Sequence, residues 1–257
     1  MTPMQRFIGK TAVVTGGTGA IGSAICRRLL AEGARVGVGC RCMSKAAAML
    51  RQLGALSQWA YPLHLDVTDS AQLQTALEQF AATHGRLDIL VNNAGGGARE
   101  AQASLEQQSV EVIDRVLHVN LRGSILCART ASRLMMAQGY GRIINIGSVV
   151  GMCGQANNVE YAAAKAGVVG LTRALALEVG ARQVTVNCVI PGLVNQTAFD
   201  EQLAVRPSQK TCVGRFGYTA EVAAAVAFLA SSEAAFITGA ELVVDGGRSL
   251  GLRGDSP

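Results

Sequence analysis

At 257 residues, 49% apolar and 16% charged, the chain is too long and too apolar for a disordered segment and has enough material for one large core. Its net charge of +5 comes from basic residues spaced singly, with no interleaved aromatics, which argues against nucleic acid and fits a phosphorylated cofactor or an acidic carrier at least as well. There is no membrane-length apolar run and no signal-like start, so a cytoplasmic protein is expected, and seven cysteines without a CxxC pair read as reduced thiols with no metal site.

The elements alternate along the chain. TAVVTGG is a β-branched run, and GAIGSAICRRLLAEG follows with Ile21, Ala24, Ile25 and Leu29 at helical spacing. Between them lies TGGTGAIG, Thr15 to Gly22. A strand that turns through glycines into a helix N-terminus suits a pyrophosphate, because glycines admit close backbone approach and free helix N–H groups favour negative charge. ARVGVGCR is the second strand. An acidic residue at its end would bind the ribose 2′-hydroxyl of NAD. Cys40 and Arg41 stand there instead, so nothing repels a 2′-phosphate and a guanidinium is at hand to grip it. The reading is NADP(H) with NAD(H) left open; the alternative for Arg41 is stacking on adenine or facing solvent.

After the helix SKAAAMLRQLG, WAYPLHLDVTD gives a third strand ending in Asp66, SAQLQTALEQFAATHG a helix, and LDILVNNAG a fourth strand. The alternation predicts a parallel sheet with helices on both faces and ligands at the C-terminal strand ends, where Asp66, Asn92 and Gly95 fall. A long helix is expected from about Leu105 to Gln138. It holds Asn120 in its middle, where an amide competes for backbone groups. GRIINIGSV is a strand with Ser148 at its end, followed by the helical run YAAAKAGVVGLTRALALEV and the strand QVTVNCVIPG. The irregular segment 193–216 is the candidate lid. TAEVAAAVAFLASSEA reads as an apolar helix with a Thr-x-Glu-like cap, and ELVVDGG as a last strand. No linker divides residues 1–257, so a single domain is expected.

The chemistry concentrates between Ser148 and Lys165. Tyr161 and Lys165 stand four apart in a helical run and therefore share a face. A fixed positive charge beside a phenol favours the phenolate and brings a group with an ordinary pKa of about 10 toward the working range. Tyr161 could then exchange a proton with an alcohol or carbonyl oxygen, and the Ser148 hydroxyl could donate to the same oxygen. The alternative is a half-buried aromatic beside a solvated helix charge.

TGGTGAIG, the NNAG of Asn92 to Gly95, Asn120, Ser148, Tyr161-x-x-x-Lys165 and Pro191-Gly192 occur in the order and spacing of the short-chain dehydrogenase/reductase family. The resemblance runs from about Gly9 to Gly247. GRIINIGSVVG, YAAAKAGVVGLTRALALEV and the final GRFGYTAEVAAAVAFLASSEAAFITGAELVVDGG look most like bacterial 3-oxoacyl-[acyl-carrier-protein] reductases and related carbonyl reductases.

The resemblance implies an α/β fold, a single-domain Rossmann-type doubly wound parallel sheet with helices on both faces, assembled as a homotetramer. It implies an NAD(P)-dependent oxidoreductase acting on CH–OH and C=O groups, with the nicotinamide near Ser148 and hydride passing to a substrate carbonyl. Tyr161 would supply the proton, Ser148 would position the carbonyl oxygen, Lys165 would bind the nicotinamide ribose, and Asn120 would hold a water linking Lys165 to solvent. Gly16, Thr18, Gly19, Ile21 and Gly22 would hold the dinucleotide, Asp66 and Val67 the adenine. Asn92, Asn93, Ala94 and Gly95 would line the adenosine side, with Pro191, Gly192 and Val194 at the carboxamide end.

The substrate would be a 3-oxoacyl thioester, with another small ketone or secondary alcohol (a sugar, polyol or cyclic ketone) as the alternative. The chain also departs from the pattern. Ala20 takes a usual glycine position, Gln196 stands where a threonine is common with Thr197 one later, and GGGARE is unlike the corresponding reductase segment. Of two basic positions that would dock an acyl carrier protein, Arg182 matches one. Gly139 stands at the other, with Arg142 as a substitute.

Overall fold

The computed structural model describes residues 5–97, 102–195 and 207–250. Seven strands form one sheet: β1 (Thr11–Val14), β2 (Arg35–Cys40), β3 (Ala60–His64), β4 (Ile89–Asn92), β5 (Gly141–Ile146), β6 (Val184–Pro191) and β7 (Glu241–Val244). Every pairing is parallel, in the order β3-β2-β1-β4-β5-β6-β7. The helices between them are α1 (Ala20–Ala31), α2 (Met43–Gln52), α3 (Ser70–His84), α4 (Val110–Leu117), α5 (Gly123–Gln138), α6 (Val149–Cys153), α7 (Val159–Val179) and α8 (Thr219–Ala230).

Successive strand residues point to opposite faces, and that splits the core in two. Val14, Val36, Val38, Ile89, Val91 and Ile144 pack with Ile25 and Leu29 of α1 and Val222 and Val226 of α8. On the other face Val13, Leu90, Ile143 and Val186 pack with Leu73 and Leu77 of α3, Cys127 and Met135 of α5 and Ala176 of α7. From β1 the chain winds outward through β2 and β3, then returns to β4 and winds the opposite way. This is the doubly wound Rossmann-type sheet, and its strand order reverses between β1 and β4. The crevice beyond their C-terminal ends is where such sheets take ligands.

Several local expectations change. The long helix starts at Val110 rather than Leu105, because the Ser109 hydroxyl accepts from Val112 N and caps it; Leu105–Gln107 is a separate 3-10 turn. Its middle is not regular either: His118–Arg122 widen into a π-turn between α4 and α5. The cap of α8 sits one residue earlier than Thr219, with Glu221 accepting from Tyr218 N at 2.7 Å while pairing with Arg215.

Gly139 ends α5 with φ of +68°, a left-handed conformation that a basic residue would adopt only under strain, so the backbone explains the glycine there. Arg142 cannot replace it as a docking cation. It is 5% exposed, donates to Gly141 O at 2.8 Å and lies over the Tyr140 ring. Arg182 is exposed and donates to Met136 O. Gln196, Thr197, the rest of 196–206 within the candidate lid, and Ala98 to Glu100 of GGGARE lie outside the described residues. Among the described residues no helix is long and apolar enough to cross a membrane, and no cluster of His, Cys, Asp and Glu could hold a metal ion.

Candidate active site

The glycine turn after β1 is latched to the loop after β4. The Thr15 hydroxyl accepts from Asn93 N at 3.0 Å and Ala94 N at 2.9 Å, and the Asn93 amide donates to Thr15 O at 2.9 Å and Gly16 O at 3.1 Å. Gly16 has φ of +61°, and a Cβ on Gly22 would stand 2.2 Å from Gly16 O. The two glycines let the turn fold onto the first coil of α1. That helix has no side-chain cap and no acidic residue in its first turn, so its leading N–H groups stay available to an anion.

At the other side of the reversal, Asp66 follows β3 and accepts from Thr68 N at 2.9 Å and Thr68 Oγ1 at 2.7 Å. Burial pushes its carboxyl up. The two Thr68 bonds and the neighbouring Arg41 charge more than offset that and hold it below the usual carboxylate value.

Farther along the sheet edge stand the groups with acid–base chemistry. Ser148 lies two residues beyond β5 as the N-cap of α6, and its oxygen accepts from Val150 N at 3.2 Å. That bond occupies a lone pair and leaves the hydroxyl proton free to donate. Gly151 of α6 rests on α7, where a Cβ would come within 2.7 Å of the Lys165 backbone, and Ser148, Tyr161 and Lys165 line the same cleft.

Lys165 is 4% exposed and donates to Ile146 O at 2.8 Å, with its Nζ 5.7 Å from the centre of the Tyr161 ring. Burial lowers its pKa from 10.5 to about 8. Asn120 occupies the π-turn, fully buried. Its amide donates to Val116 O at 2.9 Å and Gly96 O at 3.0 Å, and its carbonyl accepts from Gly96 N at 3.0 Å. The widened turn frees a backbone carbonyl that the amide then satisfies, which is how an asparagine sits inside a helix. It also clamps the strip after β4: a Cβ on Gly95 would lie 2.3 Å from Asn120 Oδ1 and 3.5 Å from Lys165 Nζ.

The candidate catalytic and cofactor-binding residues named from the sequence, Asn92 excepted, line one cleft of about 1340 Å³, from Arg41 past Thr18, Gly19, Ile21, Val67, Ala94 and Tyr161 to Pro191, Gly192 and Val194. Asn92 points the other way. Its amide donates to Ser124 O and Asn145 Oδ1, tying β4 to β5 inside the sheet. Gly192 has a different reason for being glycine, since a Cβ there would meet Asp245 at 2.6 Å. The cleft also contains Lys45, Asn158, Lys210 and Arg248, which sequence reasoning missed. Asn158 carried a detectable signal, a capping-type residue just before the tyrosine helix; the others carried none.

The family model for short chain dehydrogenase matches residues 10–207. The chain belongs to the short-chain dehydrogenase family. It is 42% identical to the 3-oxoacyl-[acyl-carrier-protein] reductase FabG of Escherichia coli K12, over 95% of this chain and 98% of that one. It is 38% identical to the cis-4-hydroxycyclohexanecarboxylate dehydrogenase of Sinomonas cyclohexanicum, over 95% and 98%. It is also 38% identical to the reductase MabA of Mycobacterium tuberculosis H37Rv, over 95% of both chains. A solved structure from Brucella melitensis 16M, described as a ribose-5-phosphate isomerase, superposes with a TM-score of 0.86 at 35% identity, covering 95% of this chain and 94% of that one. Its name belongs to another reaction class, and fold alone does not choose between chemistries.

As a short-chain dehydrogenase the protein is an NAD(P)-dependent oxidoreductase, and its cleft fits that group. Gly19 has no Cβ, and one built there would meet only Gly16 O, at 3.4 Å, which leaves the entrance of α1 open to a pyrophosphate. Arg41 and Lys45 bring positive charge to the cleft, suited to a phosphorylated cofactor. Gly22→Ala is expected to weaken dinucleotide binding by about tenfold or more, because the turn must shift to relieve the contact with Gly16 O. Titration of cofactor fluorescence, with far-UV circular dichroism to check folding, measures it; unchanged affinity would show that the turn does not carry the pyrophosphate.

Proposed function

We propose that this enzyme is an NADPH-dependent reductase that converts the keto group of a 3-oxoacyl thioester, carried on an acyl carrier protein, to a secondary alcohol. The meeting of Ser148, Tyr161, Lys165 and Asn120 in one cleft at the sheet's reversal point supports this most directly. A dinucleotide held there by the glycine turn and Lys165 would supply the hydride for the carbonyl carbon. The Ser148 hydroxyl donates to the carbonyl oxygen and fixes its position, and Tyr161 Oη gives that oxygen its proton. The Lys165 ammonium steadies the phenolate left behind. Asn120 holds a water that links Lys165 to solvent, so that the proton Tyr161 gives up is replaced after each turnover. Asp66 and Val67 meet the adenine, Asn93 to Gly95 the adenosine side, and Pro191, Gly192 and Val194 the carboxamide.

Arg41 carries the preference for NADPH, with Lys45 beside it, since Asp66 is the only carboxylate among the described lining residues. Arg41→Gln is expected to raise KM for NADPH by roughly 10- to 100-fold, the value of a charge-assisted contact, with little change for NADH. Equal effects on both cofactors would remove Arg41 from the 2′-phosphate.

A second reading is oxidoreduction of a free small ketone or secondary alcohol such as a sugar, polyol or cyclic ketone, and the named activity of the Sinomonas relative favours it. Initial rates with NADPH and NADH, on an acetoacetyl thioester and on a cyclohexanone, separate the two. NADPH-dependent turnover of the thioester supports the first; turnover of the free ketone alone moves the reading to the second. We also place the protein in the cytoplasm, as one catalytic unit with a lid over 193–216, and as a homotetramer. Leu177 on α7 is 88% exposed and Val110 on α4 65% exposed, apolar surface suited to a second copy.

A further inference from the structure

We infer that the substrate of this site carries an anionic group, a carboxylate or a phosphate, and that Arg248 with Lys210 seats it beyond Ser148; this rests on the reductase reading above. A recess of about 420 Å³ is lined by Val149, Val150, Cys153, Gln155, Lys210 and Arg248, and it shares Val149, Val150, Gln155, Lys210 and Arg248 with the main cleft. It opens directly after Ser148, on the side away from Arg41 and Asp66. Two cations enter it, and among the described residues no carboxylate lines it. Arg248 Nη1 is shielded from solvent and has no hydrogen-bond partner among the described residues. A buried guanidinium N–H without an acceptor costs more than a neutral one, and such orphaned donors mark a missing partner.

The frame that holds the two cations is rigid. Asp245 accepts from Gly247 N at 2.8 Å and Ser249 N at 2.7 Å, so its carboxylate is spent on fixing the turn that carries Arg248. The Lys210 segment is pinned to the same turn, with Val213 N donating to Gly246 O at 3.1 Å and Thr211 buried beneath. Residues far apart in the chain are thereby held at one rim. A guanidinium beside an ammonium recognises a carboxylate or phosphate by charge and by paired donors.

Calorimetric titration of the full chain saturated with oxidised cofactor tests this with two ligand pairs. Cyclohexanecarboxylate is set against cyclohexanecarboxamide, and 4′-phosphopantetheine against pantetheine. In at least one pair the anion is expected to bind about tenfold tighter than its neutral partner, and Arg248→Gln should erase most of that difference while Arg248→Lys keeps part of it. A gap in the first pair identifies a free keto acid, and a gap in the second the phosphate of a pantetheine arm. If neither pair discriminates, or if the gap survives in both Arg248→Gln and Lys210→Gln, the inference is overturned. Because the readout is binding, this outcome is distinct from a failure to reduce the thioester.

Discussion

Tyr161→Phe is expected to lower kcat by roughly 10²- to 10⁴-fold, the range that one positioned general acid supplies, while cofactor binding is retained. The phenol sits in the first turn of α7, where the positive end of the helix dipole favours a developing phenolate. Lys165 is too buried for water to screen its charge well, and its Nζ lies 5.7 Å from the ring centre. Removing the Oη therefore takes away the proton without disturbing the groups that would make it acidic. The ring remains to pack beside Gly97, where a Cβ would stand 3.7 Å from Tyr161 Cγ. Steady-state rates combined with cofactor fluorescence titration check both halves. Turnover within tenfold of the parent would show that the proton comes from elsewhere, and a parallel loss of cofactor affinity would show that the tyrosine is a binding residue first.

The layered fold was readable in the sequence because short apolar runs such as TAVV, ILVN and VTVNCVIP alternate with longer helical runs, of which α1 shows apolar residues at helical spacing. The site was readable for another reason: glycines, an in-helix asparagine and a Tyr-Lys pair are residues whose chemistry conflicts with the ordinary needs of a strand or helix. What the sequence hid were facts of direction and of distance across the fold. Asn92 and Asn93 are neighbours at a strand end, yet one turns into the sheet toward Asn145 and the other into the cleft toward Thr15. Arg142 reads in the sequence as a docking cation, but β5 is buried on both faces and takes it into the interior. Asn120 in the π-turn bonds to Gly96, 24 residues away, and no local pattern announces that pairing. Lys210 and Arg248 meet only because the segment before α8 packs on the turn after β7.

Lys165→Met is expected to stabilise the cofactor-free fold while removing most activity. Folding carries this ammonium out of water, with Ile146 O as its hydrogen-bond acceptor, and burial lowers its pKa to about 8. An unfolded lysine titrates near 10.4, so the difference of a little over two pH units is about 3 kcal/mol lost from stability at neutral pH. Methionine fills similar space without charge and gives up one hydrogen bond of about 1 kcal/mol, leaving the variant roughly 1–2 kcal/mol more stable at pH 7. The sign then fixes the pH dependence. Between about 8 and 10 the unfolded chain still holds a proton that the folded one has released, so the parent gains stability as pH rises and the variant's advantage shrinks. Cys188, whose charge would act on Lys165, is pushed up to about 11 by burial and stays a thiol through pH 9. Denaturant unfolding of both proteins at pH 7, 8 and 9 reads the gap directly; a variant less stable at pH 7, or a gap constant with pH, would mean that the buried ammonium does not oppose folding. A side chain that opposes folding and still lines the cleft is retained for what it does there, and the same substitution is expected to lower kcat/KM by about 10²-fold or more as the phenolate loses its counter-charge.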